Sequence, residues 1–141
     1  MRRSIYIDEF AHKSPIPNAS RIGNIIVSGL LRGVDPATTR AALEDILKKL
    51  KARNISVLLC GMYAPPNLGP DYGARFNSIY PELAKAYNVP LYPFFLDGVN
   101  GDAKLTQPDG LHPTAQGVDM IVNGILPTVE RFLAGLPRSA S

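Results

Sequence analysis

Residues 35–62 read DPATTRAALEDILKKLKARNISVLLCGM, a helix pattern followed directly by a buried strand pattern. Asp35 can cap a helix through its carboxylate, and Pro36 suits the first helical position because its missing N–H is not needed there. Asn54 is a suitable stop. One apolar face is predicted, formed by Leu43, Ile46, Leu47 and Leu50. Residues 55–62 are apolar without alternation, which is typical of a strand buried on both faces of a parallel sheet.

The following residues repeat this alternation. Residues 71–87 have a helical pattern that Pro81 must kink or divide into two short helices. Residues 89–95 predict a second short strand, and a long polar loop separates it from the next helix.

The last helix pattern opens at Pro113, and Pro127 is expected to bend it. Its predicted apolar face consists of Val118, Ile121, Val122, Ile125, Val129, Phe132 and Leu133. The order helix, strand, helix, strand, loop, helix favours an α/β fold, with a doubly wound parallel sheet, flanking helices and right-handed crossovers.

Composition narrows the function classes. The chain has 141 residues, of which 45% are hydrophobic and 19% charged, so one domain with a packed core is expected. Residues 1–34 hold five basic and two acidic side chains and so account for the whole net charge of +3. Residues 35–141 are therefore neutral overall. We therefore expect no nucleic-acid partner.

The sequence gives weaker indications of the protein's location and cofactors than of its fold. Cys60 is the single cysteine, so an intrachain disulfide is impossible. The sequence contains neither a membrane-length apolar run nor a secretory signal pattern, which favours a cytoplasmic protein. A Gly-rich phosphate loop is absent, and the acidic residues of the polar loop match no metal-ligand spacing. We expect neither a cofactor nor a metal.

Asp109 and His112 stand three residues apart in the loop before the last helix. Sites in open α/β sheets lie at the carboxyl ends of strands, where this loop is expected. Serine hydrolysis needs an imidazole base and a carboxylate that orients it. A D-x-x-H spacing alone is more often a capping or surface arrangement.

The stretch PDGLHPTAQG, residues 108–117, resembles the last sequence block of the SGNH (GDSL-type) hydrolases. The resemblance extends over roughly residues 29–134 and is closest to the arylesterase and acyl-thioesterase/lysophospholipase branch. It implies that Asp109 and His112 are the triad acid and base. It also implies an acyl pocket bordered by Met62 and the loop after it, which holds Tyr63 and Pro65.

The sequence departs from the family in its first part. It contains no G-D-S nucleophile block, and Ser28 and Gly29 occupy the positions of the family's oxyanion Asn and its following Asp. Ser28 is a candidate substitute nucleophile or oxyanion donor, or a small residue that ends a strand. Cys60 is expected to be an inert buried thiol.

Two functions remain open. The first is an ester or thioester hydrolase that acts on small acyl or aryl esters, with a nucleophilic serine that is not identifiable in this chain. In a variant of this function, a separate polypeptide supplies the missing N-terminal half and restores the site. The second is an inactive remnant that binds acyl ligands or a partner chain. We expect an atypical segment at 1–28, an incomplete α/β domain at 29–136 and a tail at 137–141. An exposed sheet edge would then favour self-association.

Overall fold

The computed structural model describes residues 33–110 and 112–136. These residues form a small parallel sheet with helices packed around it. The elements are α1 (Pro36–Ala52), β1 (Leu59–Cys60), a 3₁₀ helix (Pro66–Leu68), α2 (Pro70–Asn77), α3 (Ile79–Tyr87), β2 (Leu91–Tyr92) and α4 (Ala115–Ala134). The predicted segments 1–28 and 137–141 lie outside the described residues.

Helix α1 begins and ends where the sequence predicts. The Asp35 carboxylate accepts a hydrogen bond from the Ala37 N–H at 3.2 Å, and Pro36 is the first helical residue. The helix ends at Ala52, and Asn54 follows in the left-handed region with φ 54°. Asp35 also forms an ion pair with Arg75 of α2 at 2.6 Å, so the cap ties two helices together.

Strands β1 and β2 pair in parallel, with Leu59 opposite Leu91 and Cys60 opposite Tyr92. Such a pair needs a crossover connection, which helices α2 and α3 supply. Cys60 is half-buried, and burial raises the pKa of its thiol. A thiol with a raised pKa is a poor nucleophile, in agreement with the predicted inert cysteine.

The strands are shorter than the apolar runs at 55–62 and 89–95. Pro90 and Pro93 flank β2 on both sides. Because proline has no N–H to donate to the ladder, regular pairing stops at each of them. The Pro90 carbonyl still accepts from the Leu59 N–H at 2.9 Å, so the strands remain aligned just before their paired residues.

The helical stretch at 71–87 is divided into two short helices, as predicted. Helix α2 ends at Asn77, and Pro81 lies in the first turn of α3. A proline cannot bond to the carbonyl four residues earlier, which here belongs to Asn77. The break therefore lies one turn before the proline, at Ser78.

The hydrophobic core lies between β1 and helices α1, α2 and α3. Phe76, Ile79 and Leu83 are at most 1% exposed. The Phe76 ring is stacked against Tyr72, with ring centroids 6.0 Å apart, and meets the Tyr80 ring edge-on at 5.9 Å. The full cluster is Leu43, Leu47, Leu59, Met62, Phe76, Ile79, Tyr80, Leu83 and Ala84.

Helix α4 begins at Ala115, two residues later than predicted. Pro113 forms an antiparallel bridge with Thr106 instead of opening the helix. Thr114 is the cap, and its hydroxyl accepts from the Gly117 N–H at 3.2 Å. The helix runs on through Pro127. Within the described ranges, no helix is long and apolar enough to cross a bilayer.

Candidate active site

The loop that follows β2 carries Asp109 and His112 to the start of α4. The Asp109 carboxylate accepts from the His112 backbone N–H at 3.0 Å and lies 2.6 Å from the ring nitrogen Nδ1. Gly110 has φ 68°, in the left-handed region, which lets the chain turn back within three residues. The spacing seen in the sequence therefore places the two side chains in direct contact.

This contact fixes which ring nitrogen can act on another group. A carboxylate can only accept, so Nδ1 must carry the proton that it donates to Asp109. In the neutral ring Nε2 then has a free lone pair, which is the arrangement of a histidine general base. The His112 side chain is 68% exposed, so among the described residues Nε2 is open to an incoming group.

Backbone hydrogen bonds hold the loop in a closed ring around this pair. The Gln107 N–H donates to the His112 carbonyl at 2.7 Å, and its side-chain amide donates to the Pro113 carbonyl at 3.2 Å. The Thr114 N–H donates to the Leu105 carbonyl at 2.8 Å. We call residues 105–114 the staple, because these bonds fasten the loop to the beginning of α4.

Gly117 allows the staple to sit directly on α4. A Cβ atom added at Gly117 would stand 2.2 Å from the Leu105 carbonyl oxygen, closer than any real contact. Only glycine permits this approach of loop backbone to helix. The position of His112 thus depends on a helical glycine five residues further along the chain.

The predicted pocket residues lie after the carboxyl end of β1 but differ in exposure. Met62 belongs to the hydrophobic core and is 9% exposed. Tyr63 is 47% exposed and stacks on Phe94, with ring centroids 4.6 Å apart. Pro65 is half-buried and precedes the 3₁₀ helix.

Phe94 and Asn77 are two residues of this region that the sequence did not single out. The Asn77 side-chain oxygen accepts from the Ala64 N–H at 2.8 Å and so holds the loop that carries Tyr63. Phe94 follows β2 just as Tyr63 follows β1, and this parallel placement could have indicated the stack. Asn77 has no sequence signal, because its partner is a backbone group 13 residues away.

The loops after the two strands are also locked together. A Cβ atom at Gly61 would stand 2.1 Å from the Pro93 carbonyl oxygen, so glycine is required there. The Gly61 carbonyl accepts from the Phe95 N–H at 2.9 Å. Tyr63 and Phe94 therefore start from a fixed backbone junction.

Ser28 and Gly29, the candidate nucleophile and oxyanion residues, lie outside the described residues. Across positions 33–110 and 112–136, no group of three or more His, Cys, Asp or Glu side chains is arranged to hold a metal ion. The described residues bring the Asp109 carboxylate into contact with the His112 ring, and they form a separate aromatic pair just after the two strands.

Several known proteins are similar to this chain in sequence. The model of the GDSL-like lipase/acylhydrolase family matches residues 29–120. Esterase TesA of Pseudomonas aeruginosa is 36% identical over 103 residues, covering 73% of this chain and 51% of that protein. Thioesterase 1/protease 1/lysophospholipase L1 of Escherichia coli K12 is 40% identical over 93 residues, covering 66% of this chain and 45% of that protein.

A solved structure agrees with the sequence comparisons. A crystal structure of TesA superposes with a TM-score of 0.70 at 29% identity, covering 80% of this chain and 70% of that one. The present chain spans about half the length of the two sequence relatives.

Proposed function

Because the chain belongs to the GDSL-like lipase/acylhydrolase family, whose members here are esterases and thioesterases, we propose that it hydrolyses esters or thioesters of small acyl or aryl groups. The observation that carries the proposal is the contact between the Asp109 carboxylate and Nδ1 of His112. It orients an exposed histidine on the loop that follows the carboxyl end of β2, and α/β enzymes bind their substrates at such strand ends.

The proposed reaction follows from the orientation of the ring. Nε2 of His112 takes the proton from a serine hydroxyl as the serine attacks the acyl carbonyl, and returns it to the departing alcohol or thiol. Asp109 holds the tautomer and stabilises the imidazolium that forms. A water molecule then repeats the attack on the acyl-enzyme, with His112 again as the base. Ser28 is our candidate for the serine, and Gly29 for an oxyanion donor.

The proposed acyl pocket consists of Tyr63, Pro65 and, beneath them, Met62. Its support is the stack of the exposed Tyr63 ring on the half-buried Phe94 ring, just after the ends of both strands. Aromatic surfaces of this kind favour apolar and aryl groups over polar ones. An aryl ester such as p-nitrophenyl acetate is therefore a suitable first substrate.

The proposed fold of the whole domain is a doubly wound sheet that includes β1 and β2. Among the described residues each of these strands has one strand neighbour, so each has an outer edge with no described partner. We include self-association through such an edge in the proposal, since unpaired strand edges favour it. A single monomeric species in sedimentation equilibrium would show this part to be wrong.

The first test compares carboxylates in one loop. With p-nitrophenyl acetate, Asp109→Asn should lower kcat by roughly 10⁴-fold, because the amide favours the wrong histidine tautomer. His112→Ala should do the same. Asp97→Asn is the matched control, since Asp97 lies on the same loop and is exposed. It should retain activity within about twofold of the wild type.

Labelling with a fluorophosphonate probe, followed by peptide mapping, identifies the serine in the same samples. A tagged serine that is lost in His112→Ala would support a working triad. Folded wild-type protein that takes up no label and hydrolyses no ester would contradict the proposal and favour the inactive remnant that binds acyl ligands or a partner.

A further inference from the structure

A concave surface lies at the amino ends of the strands and beside the last turns of α4, whereas His112 precedes the first turn of that helix. It is an open groove with a volume of about 710 Å³. Its walls are the residues just before β1, the residues just before β2, and the last turns of α1 and α4. Because these are the amino ends of the strands, the groove is separate from the candidate active site.

The groove combines apolar walls with positive charge. Its apolar lining includes Leu47, Ile55, Val57, Val89, Phe132 and Leu136. Lys51 from α1 and Arg131 from α4 also line it, while none of the described lining residues is acidic. The volume lies within the range of about 300–1,000 Å³ typical of small-ligand sites.

In the described part of the chain, neither cation forms an ion pair. The Lys51 ammonium donates to the Tyr87 carbonyl at 3.5 Å, and the Arg131 guanidinium donates to the Thr128 hydroxyl at 3.0 Å. By contrast, Lys48 on the same helix forms an ion pair with Glu44 at 3.3 Å. Lys51 and Arg131 therefore keep their charge available to a ligand.

Positive charge near a helix C-terminus also offsets the helix dipole, and this is the simpler explanation of both residues. Lys85 provides the comparison, because it lies in the last turn of α3 but does not line the groove. The dipole accounts for a lysine there. It does not account for two such cations from different helices on one apolar groove.

We infer that this groove binds a carboxylate on an apolar chain, with the chain along the apolar walls and the carboxylate between Lys51 and Arg131. Both cations can bond a carboxylate with charge assistance, and the guanidinium can do so through two N–H groups. This inference does not depend on the proposed hydrolysis, since the groove lies at the amino ends of the strands.

Calorimetric titration with monomeric decanoate tests the inference. Lys51→Gln/Arg131→Gln should weaken decanoate binding by about tenfold or more, because two charge-assisted bonds are lost. Lys85→Gln removes a helix-end charge outside the groove and should bind within about twofold of the wild type. Decyltrimethylammonium, which has the same chain and the opposite charge, should bind far more weakly than decanoate.

Amide chemical shifts provide a second measurement, which locates the bound decanoate directly. Decanoate should shift the Val57, Asn88 and Val89 amides at the groove, and it should do so equally in His112→Ala. Shifts confined to residues 112–117, or binding lost in His112→Ala and kept in the double variant, would place the ligand at the active-site edge. Equal affinity for decyltrimethylammonium and decanoate would show that the positive charge of the groove does not contribute to binding. Each of these outcomes overturns the inference.

Discussion

Helices α3 and α4 are both amphipathic, yet the structure uses their apolar residues in opposite ways. Helix α3 buries Ile79, Tyr80, Leu83 and Ala84 in the core. Helix α4, more than twice as long, buries only Gly117 and Ile121. Its large apolar residues that stay 45–56% exposed are Val118, Met120, Val122, Leu126 and Leu133.

The two helices therefore have different roles: α3 contributes to stability, and α4 positions the residues of the candidate site. Leucine and phenylalanine side chains around α3 supply the hydrophobic free energy that holds the described fold together. Helix α4 instead receives the staple, through the Thr114 cap and the close approach of Leu105 to Gly117. Asp109 and His112 are therefore positioned by backbone hydrogen bonds and a glycine contact rather than by a packed core.

The largest effect on stability should come from α3. Leu83→Ala removes a side chain that is 1% exposed and should lower the free energy of unfolding by about 2–5 kcal/mol, since it leaves a cavity. Leu126→Ala makes the same chemical change on α4, where the side chain is 45% exposed. It should cost under about 1 kcal/mol. Urea unfolding followed by circular dichroism measures both.

Equal losses for the two variants would break the comparison. Leu126 would then be covered in solution, either by another segment of this chain or by a second copy. Sedimentation equilibrium of the wild type at several concentrations separates these two cases, because only a second copy makes the cost of Leu126→Ala depend on concentration.

A second comparison sets two helical glycines against each other. Gly117→Ala forces a methyl group against the Leu105 carbonyl and should destabilise by about 1–3 kcal/mol, with a loss of esterase activity as the staple shifts. Gly73 in α2 has open space around its Cβ position. Gly73→Ala should stabilise by roughly 0.5–1 kcal/mol through helix propensity.

Thermal unfolding and p-nitrophenyl acetate hydrolysis distinguish the two glycine variants. A Gly117→Ala protein with unchanged melting temperature and unchanged kcat would mean that the staple can move away from α4 without affecting His112. The packing argument for the site would then be wrong.

Local signals predicted the beginning and end of α1, whereas the pairing of Asp109 with His112 was predicted from the family resemblance, since the D-x-x-H spacing alone did not favour it. Asp35 and Asn54 act on their own helix, and the Asp109 carboxylate reaches only three residues ahead. Pro81 also predicted the division of the helical stretch at 71–87, and the break lies at Ser78 because a proline removes the bond to the carbonyl four residues before it.

Long-range contacts could not be predicted in this way. The Leu105–Gly117 approach and the Tyr63–Phe94 stack join residues that only the folded chain brings together. The short strands were also unexpected, because an apolar run indicates burial and not the number of paired residues. Pro90 and Pro93 were the available signal, as each removes a donor from the ladder.

The smallest predicted effect concerns two carboxylates that join α1 to α3. A hydrogen bond from Arg40 lowers the pKa of the Glu82 carboxyl, and one from the Tyr87 hydroxyl lowers that of Glu44. Their ordinary value is 4.5. Since the folded state has the lower pKa, the unfolded chain binds more protons in this range, and stability falls as the pH drops below about 5.

Both carboxylates are at the surface, so the loss should be small and should shrink further in salt. Melting temperatures of the wild type and Glu82→Gln, measured from pH 7 to pH 3, give the sign. The variant should melt lower at pH 7 and converge on the wild type as Glu82 becomes protonated. Curves that keep the same separation from pH 7 to pH 3 would mean that the charge of Glu82 beside Arg40 adds nothing to stability.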